Sequence, residues 1–408
     1  MKLKNTENHL TYCTNIHPGE TWDEVNEQLK ENIPELKGRL APGKSFGIGL
    51  RLSAQAAEQL LREEVLDDFK QWLDDEDLYV FTMNGFPFGN FHRSRVKDLV
   101  YKPDWRSDDR VDYTLNLVKI LAALLPDGMD GGISTSPLSY KHWLDTKEDE
   151  EEVFRKSTEN LARVAWAMHE VKEEQQKNIH IDIEPEPDCL LENSSETIDF
   201  FEKWLLPQGS TYLMKNFEVS SEKAEQILLN HIRVCYDTCH FAVEYEKPEE
   251  ALHAFQKAGI KIGKVQISAA IKRTLNVNPG DRDEVVEELR PFEESTYLHQ
   301  VIERRDDDSL HHYADLTEAL TNVHTPCARE WRIHYHVPIF VDKFSGLQST
   351  QDDIIRSLDK IGDYSDCRHF EIETYTWEVL PDHLKTNLKD SIEREFRWTL
   401  DLMEKEIQ

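Results

Sequence analysis

The chain has 408 residues, and its 48 Lys and Arg against 79 Asp and Glu give a formal charge of 48 − 79 = −31. That charge repels a phosphate backbone and an anionic membrane surface alike, so nucleic acid is not expected as a partner. The six scattered cysteines (Cys13, Cys189, Cys235, Cys239, Cys327, Cys367) form no CxxC pair, and neither a signal-length apolar run nor a membrane-length one occurs; a cytoplasmic protein with reduced thiols and no membrane insertion is expected.

In chain order, short apolar runs alternate with longer amphipathic ones. LTYCTN (from Leu10) and FGIGLRL (from Phe46) read as strands, followed by a helix over AQAAEQLLREEVLDDFKQWL. LYVFTMN (from Leu78) precedes the helical DYTLNLVKILAALL, and GGISTS (from Gly131) precedes EEVFRKSTENLARVAWAMHEVKEEQ. IHIDIE (from Ile179), RVCYD (from Arg233), the helical PEEALHAFQKAG, KVQIS (from Lys264), IHYHVPIF (from Ile333) and HFEIET (from His369) complete the series. Repeated βα units imply a parallel sheet, and right-handed crossovers in such number close into a (β/α)₈ TIM barrel. Nine strand candidates exceed eight, so IHYHVPIF is assigned to a long insertion of roughly 270–345 before the last strand. No linker divides the chain, and 1–408 is read as a single domain.

Functional groups of such barrels project from the C-terminal strand ends into the βα loops. Glu184 ends IHIDIE, where Pro185 and Pro187 stop the strand; Asp237 ends RVCYD, with His240 three residues on; Gln266 lies in KVQIS and Glu373 in HFEIET. Three carboxylates and a carboxamide from four strands form an oxygen-rich set for one divalent ion, Mn²⁺ or Mg²⁺, with nearby imidazoles favouring Zn²⁺ or Co²⁺. Glu371, two residues before Glu373 and deeper in the strand, reads as a core-paired or supporting acid. His334 and His336 alternate on one face of their strand and are either further ligands or structural. His17 and His92 lie in Gly/Pro-rich loops as candidates for substrate contact. Arg51 is a candidate for binding a substrate anion or, alternatively, for a salt bridge. The segments FPFGNF, YKPDW and SPLSYKHW supply aromatic side chains for a wall over the site or for loop packing.

The series Glu184–Pro185, Asp237-Thr-Cys-His240, VQIS around Gln266 and IET around Glu373 resembles the sugar-phosphate isomerase/epimerase branch of the xylose-isomerase-like barrels. The longer strings TYCTNIHPGETW, FGIGLRLS, NGFPFGNFH, VYKPDWR and GGISTSPLSYKHW resemble the metabolite-traffic protein EboE family. The first resemblance implies one divalent metal on Glu184, Asp237, Gln266 and Glu373; the long insertion before IHYHVPIF departs from that pattern and leaves open whether His334 or His336 joins or replaces Gln266. It further implies Glu184 and Glu373 as an acid/base pair, and His240 and Arg51 as groups orienting a small polyhydroxylated substrate in enediolate-type proton transfer. A metal-containing carrier of a metabolite is the second reading, and an AP-endonuclease-like nuclease, disfavoured by the charge, the third.

Overall fold

The computed structural model describes residues 1–92, 95–276, 278–382 and 385–405. Seven parallel strands come first: β1 (His9–Tyr12), β2 (Phe46–Arg51), β3 (Leu78–Asn84), β4 (Gly131–Thr135), β5 (Ile179–Ile183), β6 (Ile232–Asp237) and β7 (Ile262–Ile267). An excursion then supplies β8 (Ala269–Thr274), β9 (Val301–Arg305), β10 (Leu310–Tyr313), β11 (Ala328–Val337), β12 (Lys343–Phe344) and β13 (Leu347–Ser349) before β14 (His369–Ile372) returns to the barrel. The barrel sheet runs β1-β14-β7-β6-β5-β4-β3-β2, with its pairs parallel.

The sheet nearly closes. Between β1 and β2 the Thr11 hydroxyl substitutes for ladder bonds, donating to the Gly47 carbonyl at 2.9 Å and accepting from the Gly49 N–H at 3.0 Å. One step on, Cys13 and Gly49 form a single parallel bridge.

The connecting helices carry their own start signals. Trp22–Leu40 opens on a Thr21/Glu24 capping box and Lys147–Gln175 on a Thr146/Asp149 box, each satisfying backbone N–H groups that have no partner within the helix. The stretch read as one helix from Ala54 is two, Ala54–Leu60 and Glu63–Asp75, because Arg62 is extended. The break turns two buried faces, Ala56/Ala57/Leu60 and Phe69/Leu73, onto one core.

The lower barrel interior is polar. Lys264 Nζ meets Glu371 Oε2 at 2.6 Å and His180 Nδ1 meets Asp182 Oδ1 at 2.6 Å, all four residues fully buried. Glycines make the room: a Cβ on Gly49 would stand 1.8 Å from Glu371 Oε1, and one on Gly263 would stand 1.8 Å from Asp182 Oδ1.

The insertion folds as a six-stranded sheet, β10-β9-β11-β8-β13-β12, whose pairs are antiparallel. IHYHVPIF belongs to it as the end of β11, in keeping with the strand count above. The β11/β8 register shifts between Ile333 and Val337, so the segment carrying His334 and His336 leaves the regular ladder. Irregular pairing of this kind re-aims side chains next to sites.

Candidate metal centre

Each acidic strand end is placed by a local device. Asp237 caps the short helix Thr238–Val243: its Oδ1 accepts the N–H groups of Cys239 (2.8 Å) and His240 (3.1 Å) and the Ser268 hydroxyl (2.6 Å). That leaves Oδ2 to face inward and sets His240 one turn above it. Glu184 follows β5 with its N–H on the Thr135 carbonyl, and Glu373 follows β14 with its N–H on the Ile267 carbonyl, so each acid is held directly after its strand.

Four of the expected residues are brought together. One carboxylate oxygen from each of Glu184, Asp237 and Glu373 lies within 4.8 Å of the others. The Gln266 Nε2 sits among them, 2.8 Å from Glu184, 3.1 Å from Asp237 and 2.8 Å from Glu373. An amide has two N–H hydrogens, so it cannot serve three acceptors fully. Glu184 Oε2 is moreover buried without a hydrogen-bond partner. A half-turn of the Gln266 amide, whose Oε1 now accepts from the Cys235 thiol at 3.2 Å, would offer an oxygen to the same point.

Electrostatics describe a site short of positive charge. Burial first, then the charges of Glu373 and Asp237, push the Glu184 carboxyl well above the usual range; burial and the charges of Asp237 and Glu371 do the same to Glu373. Burial opposes ionisation of Asp237 too, yet His240, His336 and the Ser268 hydroxyl bring it below its ordinary value. Three acids, an amide and one unpartnered oxygen fit a divalent cation of the oxygen-preferring or borderline kind.

Histidines from the insertion complete the mouth. His336 donates through Nδ1 to the Glu373 carbonyl at 2.7 Å, which leaves the Nε2 lone pair buried and unpartnered; burial holds its pKa down to about 4. An imidazole fixed through one nitrogen to a backbone carbonyl is prepared as a ligand through the other, and Asp237, His240 and His336 offer donor atoms within 4.8 Å of one another. His240 Nδ1 donates to the Pro185 carbonyl (2.9 Å) and His334 Nδ1 to Gln300 Oε1 (2.8 Å), while the two Nε2 atoms face each other at 3.1 Å. Two lone pairs at that distance require a shared proton or a cation between them.

Above the acids lies a pocket enclosing about 520 Å³ when its open side is included. Glu184, Glu186, Glu373, His240 and His334 form its floor, and Phe86, Phe91, Tyr101, Tyr297 and Tyr375 its walls. FPFGNF and YKPDW thus contribute Phe86, Phe91 and Tyr101 directly, whereas Tyr140 and Trp143 of SPLSYKHW pack behind Tyr101.

Three expected substrate contacts are not brought here. Arg51 is buried and committed to the Gly19 and Gly89 carbonyls (2.9 and 2.6 Å) and to Glu20 (3.3 Å), the salt-bridge alternative. His17 turns away to Tyr12 at 2.8 Å, and burial holds its pKa down to about 3. His92 stands one layer back, accepted by the Asn15 carbonyl at 2.5 Å. Asn15 and Asn84, which the sequence reading missed, both donate to Glu373 Oε1, at 2.8 and 3.0 Å. Asn84 ends β3, so its strand-end position was the available signal; Asn15 had none.

The buried acids make an expected pH dependence. Burial pushes both Glu186 and Glu395 up to about 7 from 4.5. Because these folded values are raised, the stability they contribute is full below about pH 4.5 and lost as pH rises through 7, by about 3 kcal/mol for each. Glu184 and Glu373 act in the same direction until a cation binds them. The metal-free Tm is expected to fall between pH 5 and 8.5, and to fall less with Mn²⁺; a flat profile with no Mn²⁺ effect would contradict these assignments.

With the geometry in place, the fold is that of the xylose-isomerase-like TIM barrels. A xylose isomerase-like TIM barrel protein from Mycobacterium smegmatis, solved in complex with magnesium, matches with a TM-score of 0.51 at 9% identity over 98% of both chains. A D-tagatose 3-epimerase-like protein covers 98% of this chain and 100% of its own at 11% identity and a TM-score of 0.49. The IolI protein with a bound zinc atom covers 97% and 98% at 13% identity and a TM-score of 0.48. No protein-family model matches the sequence, and no curated protein matches it. At these identities the likeness speaks to the fold.

Proposed function

We propose that this protein is a metal-dependent isomerase or epimerase acting on a small polyhydroxylated metabolite, in the cytoplasm and within a metabolite biosynthesis or traffic pathway such as the EboE resemblance implies. The observation that carries the reading is the convergence of Glu184, Asp237, Gln266 and Glu373 on one point, with Glu184 and Glu373 lining the floor of an aromatic-walled pocket. Glu184, Asp237 and Glu373 would hold the ion, with the Gln266 amide or His336 as a further ligand. A divalent ion supplies electrophilic polarisation of a substrate carbonyl.

The side chains account for the remaining steps. Glu184 or Glu373 removes the proton from the carbon beside the carbonyl, and the C–H electron pair moves into the new double bond of an enediolate. Return of the proton to the same carbon from the other face inverts it; return to the neighbouring carbon moves the carbonyl. Asn15 and Asn84 hold Glu373 in place through Oε1, leaving Oε2 towards the pocket. The facing Nε2 atoms of His240 and His334 are placed to give or take a proton at a substrate oxygen. Tyr101, Tyr297 and Phe91 line the pocket with aromatic rings that suit the apolar C–H faces of a polyol, their hydroxyls being held by Glu186 and Gln300 (Tyr101) and by His92 (Tyr297).

The test is deuterium exchange. Protein loaded with Mn²⁺ is incubated in D₂O with hydroxy-ketones, ketoses, cyclitol ketones and sugar phosphates, and uptake beside the carbonyl is followed by NMR. The proposal expects uptake with at least one; a ligand bound at this pocket with no exchange would replace it by the carrier reading.

A further inference from the structure

A second group of potential ligands lies outside the acids at the barrel floor and shares no residue with them. Asp188 and Glu192 belong to the segment after β5, His142 to the single turn Lys141–Trp143 after β4, and His312 to β10 of the inserted sheet. Asp188, Glu192 and His312 offer one donor atom each within 4.8 Å of one another.

The spacings are too long for hydrogen bonds and suited to an ion. His312 Nδ1 stands 3.5 Å from Asp188 Oδ1 and 3.9 Å from Glu192 Oε1, and His142 Nε2 stands 3.6 Å from the same Asp188 oxygen. Bonds of about 2.0–2.1 Å in a tetrahedral zinc site put neighbouring ligand atoms about 3.3 Å apart, so modest movements would close Asp188, Glu192 and His312 on an ion, while the exposed His142 would have to turn in from outside these three. Asp188 is only 3% exposed, and its Oδ2 is buried with no hydrogen-bond partner. Glu244 behind it is in the same condition at Oε1, its carboxyl held well above the usual range by burial and by the charges of Glu192 and Asp188. Lys141 answers Glu192 at 2.7 Å and Glu196 at 3.1 Å, and among the described residues no Lys or Arg pairs with Asp188 or Glu244.

We propose that Asp188, Glu192, His312 and His142 form a second cation site, of the zinc class, that clamps the inserted sheet onto the barrel mouth. Two imidazoles beside two carboxylates favour Zn²⁺ over Mg²⁺ or Ca²⁺, and two carboxylates balance its charge. The clamp sits where it matters for the mouth. Gln300, which holds His334, also donates to the Pro187 carbonyl at 3.0 Å, next to Asp188 in the chain.

The experiment counts zinc. Chelator-stripped protein is saturated with Zn²⁺, passed through gel filtration and analysed for metal per chain, with Zn-edge anomalous maps of crystals from the same preparation. Wild type should hold two ions. The Asp237→Asn/Glu373→Gln variant should keep only the outer ion, and adding His312→Ala to it should leave none. If His312→Ala fails to fold, His142→Ala, at a side chain 54% exposed, should weaken the outer site by about 10-fold or more. Zinc content unchanged by both histidine variants, or no anomalous peak at Asp188, would overturn the proposal. Wild-type protein that holds the outer ion and none at the floor would instead count against the metal centre of the proposed function, so the two failures are distinguishable.

Discussion

Replacing Lys264 with methionine is expected to cost about 3–5 kcal/mol of stability, measured by urea unfolding. Lys264 and Glu371 are fully buried and 2.6 Å apart, and burial is overcome by Glu371 in holding the ammonium above its ordinary pKa. Glu371 Oε1 has no other partner, and Gly49 gives that oxygen its space. Without Lys264 an uncompensated carboxylate would remain beneath the three acids of the floor and raise their proton affinity further. The double variant Lys264→Met/Glu371→Gln should recover most of the loss, because the amide carries no charge. A single-variant cost below about 1 kcal/mol would show that the pair is not desolvated as described.

The second large effect is on chemistry. In Mn²⁺-loaded protein, Glu184→Gln and Glu373→Gln should each keep the fold, since side-chain size and an oxygen ligand are retained. Each should lower deuterium exchange beside the carbonyl by about 10²–10⁴-fold, because an amide cannot take the proton. Asn15→Ala should act more weakly and through position, with Glu373 Oε1 freed of one of its two amide donors. Exchange that survives in both glutamine variants would remove these two residues from the mechanism.

The barrel was legible because parallel strands buried on both faces read as short apolar runs, and because a polar residue closing such a run projects into the mouth. Glu184, Asp237, Gln266 and Glu373 were singled out that way, each lying in or directly after a different strand. The excess of strand candidates also located the insertion, which runs from Ala269 to Ser349 against the expected 270–345. Its internal sheet was not legible: β9, β10, β12 and β13 are five residues or fewer, and their pairing depends on distant partners.

Orientation was the other limit. Arg51, His17 and His92 were selected by place in the chain, but the loop after β1 carries Gly19 and Glu20 to Arg51 and folds His17 back onto Tyr12 of β1, and such tertiary partners leave no spacing signal. For His334 and His336 the period of two established a shared face without saying which; the register shift against β8 decides it. Asp188 with His312 was hidden for the same reason, since the segment after a barrel strand and a strand of the inserted sheet bring them together.

The most direct test of the metal centre is a crystal grown with Mn²⁺ and examined at the manganese edge. One strong anomalous peak is expected within about 2.0–2.6 Å of oxygens from Glu184, Asp237 and Glu373, with the peak gone in Asp237→Asn/Glu373→Gln. Manganese bound elsewhere while these three side chains keep their positions without it would contradict the account.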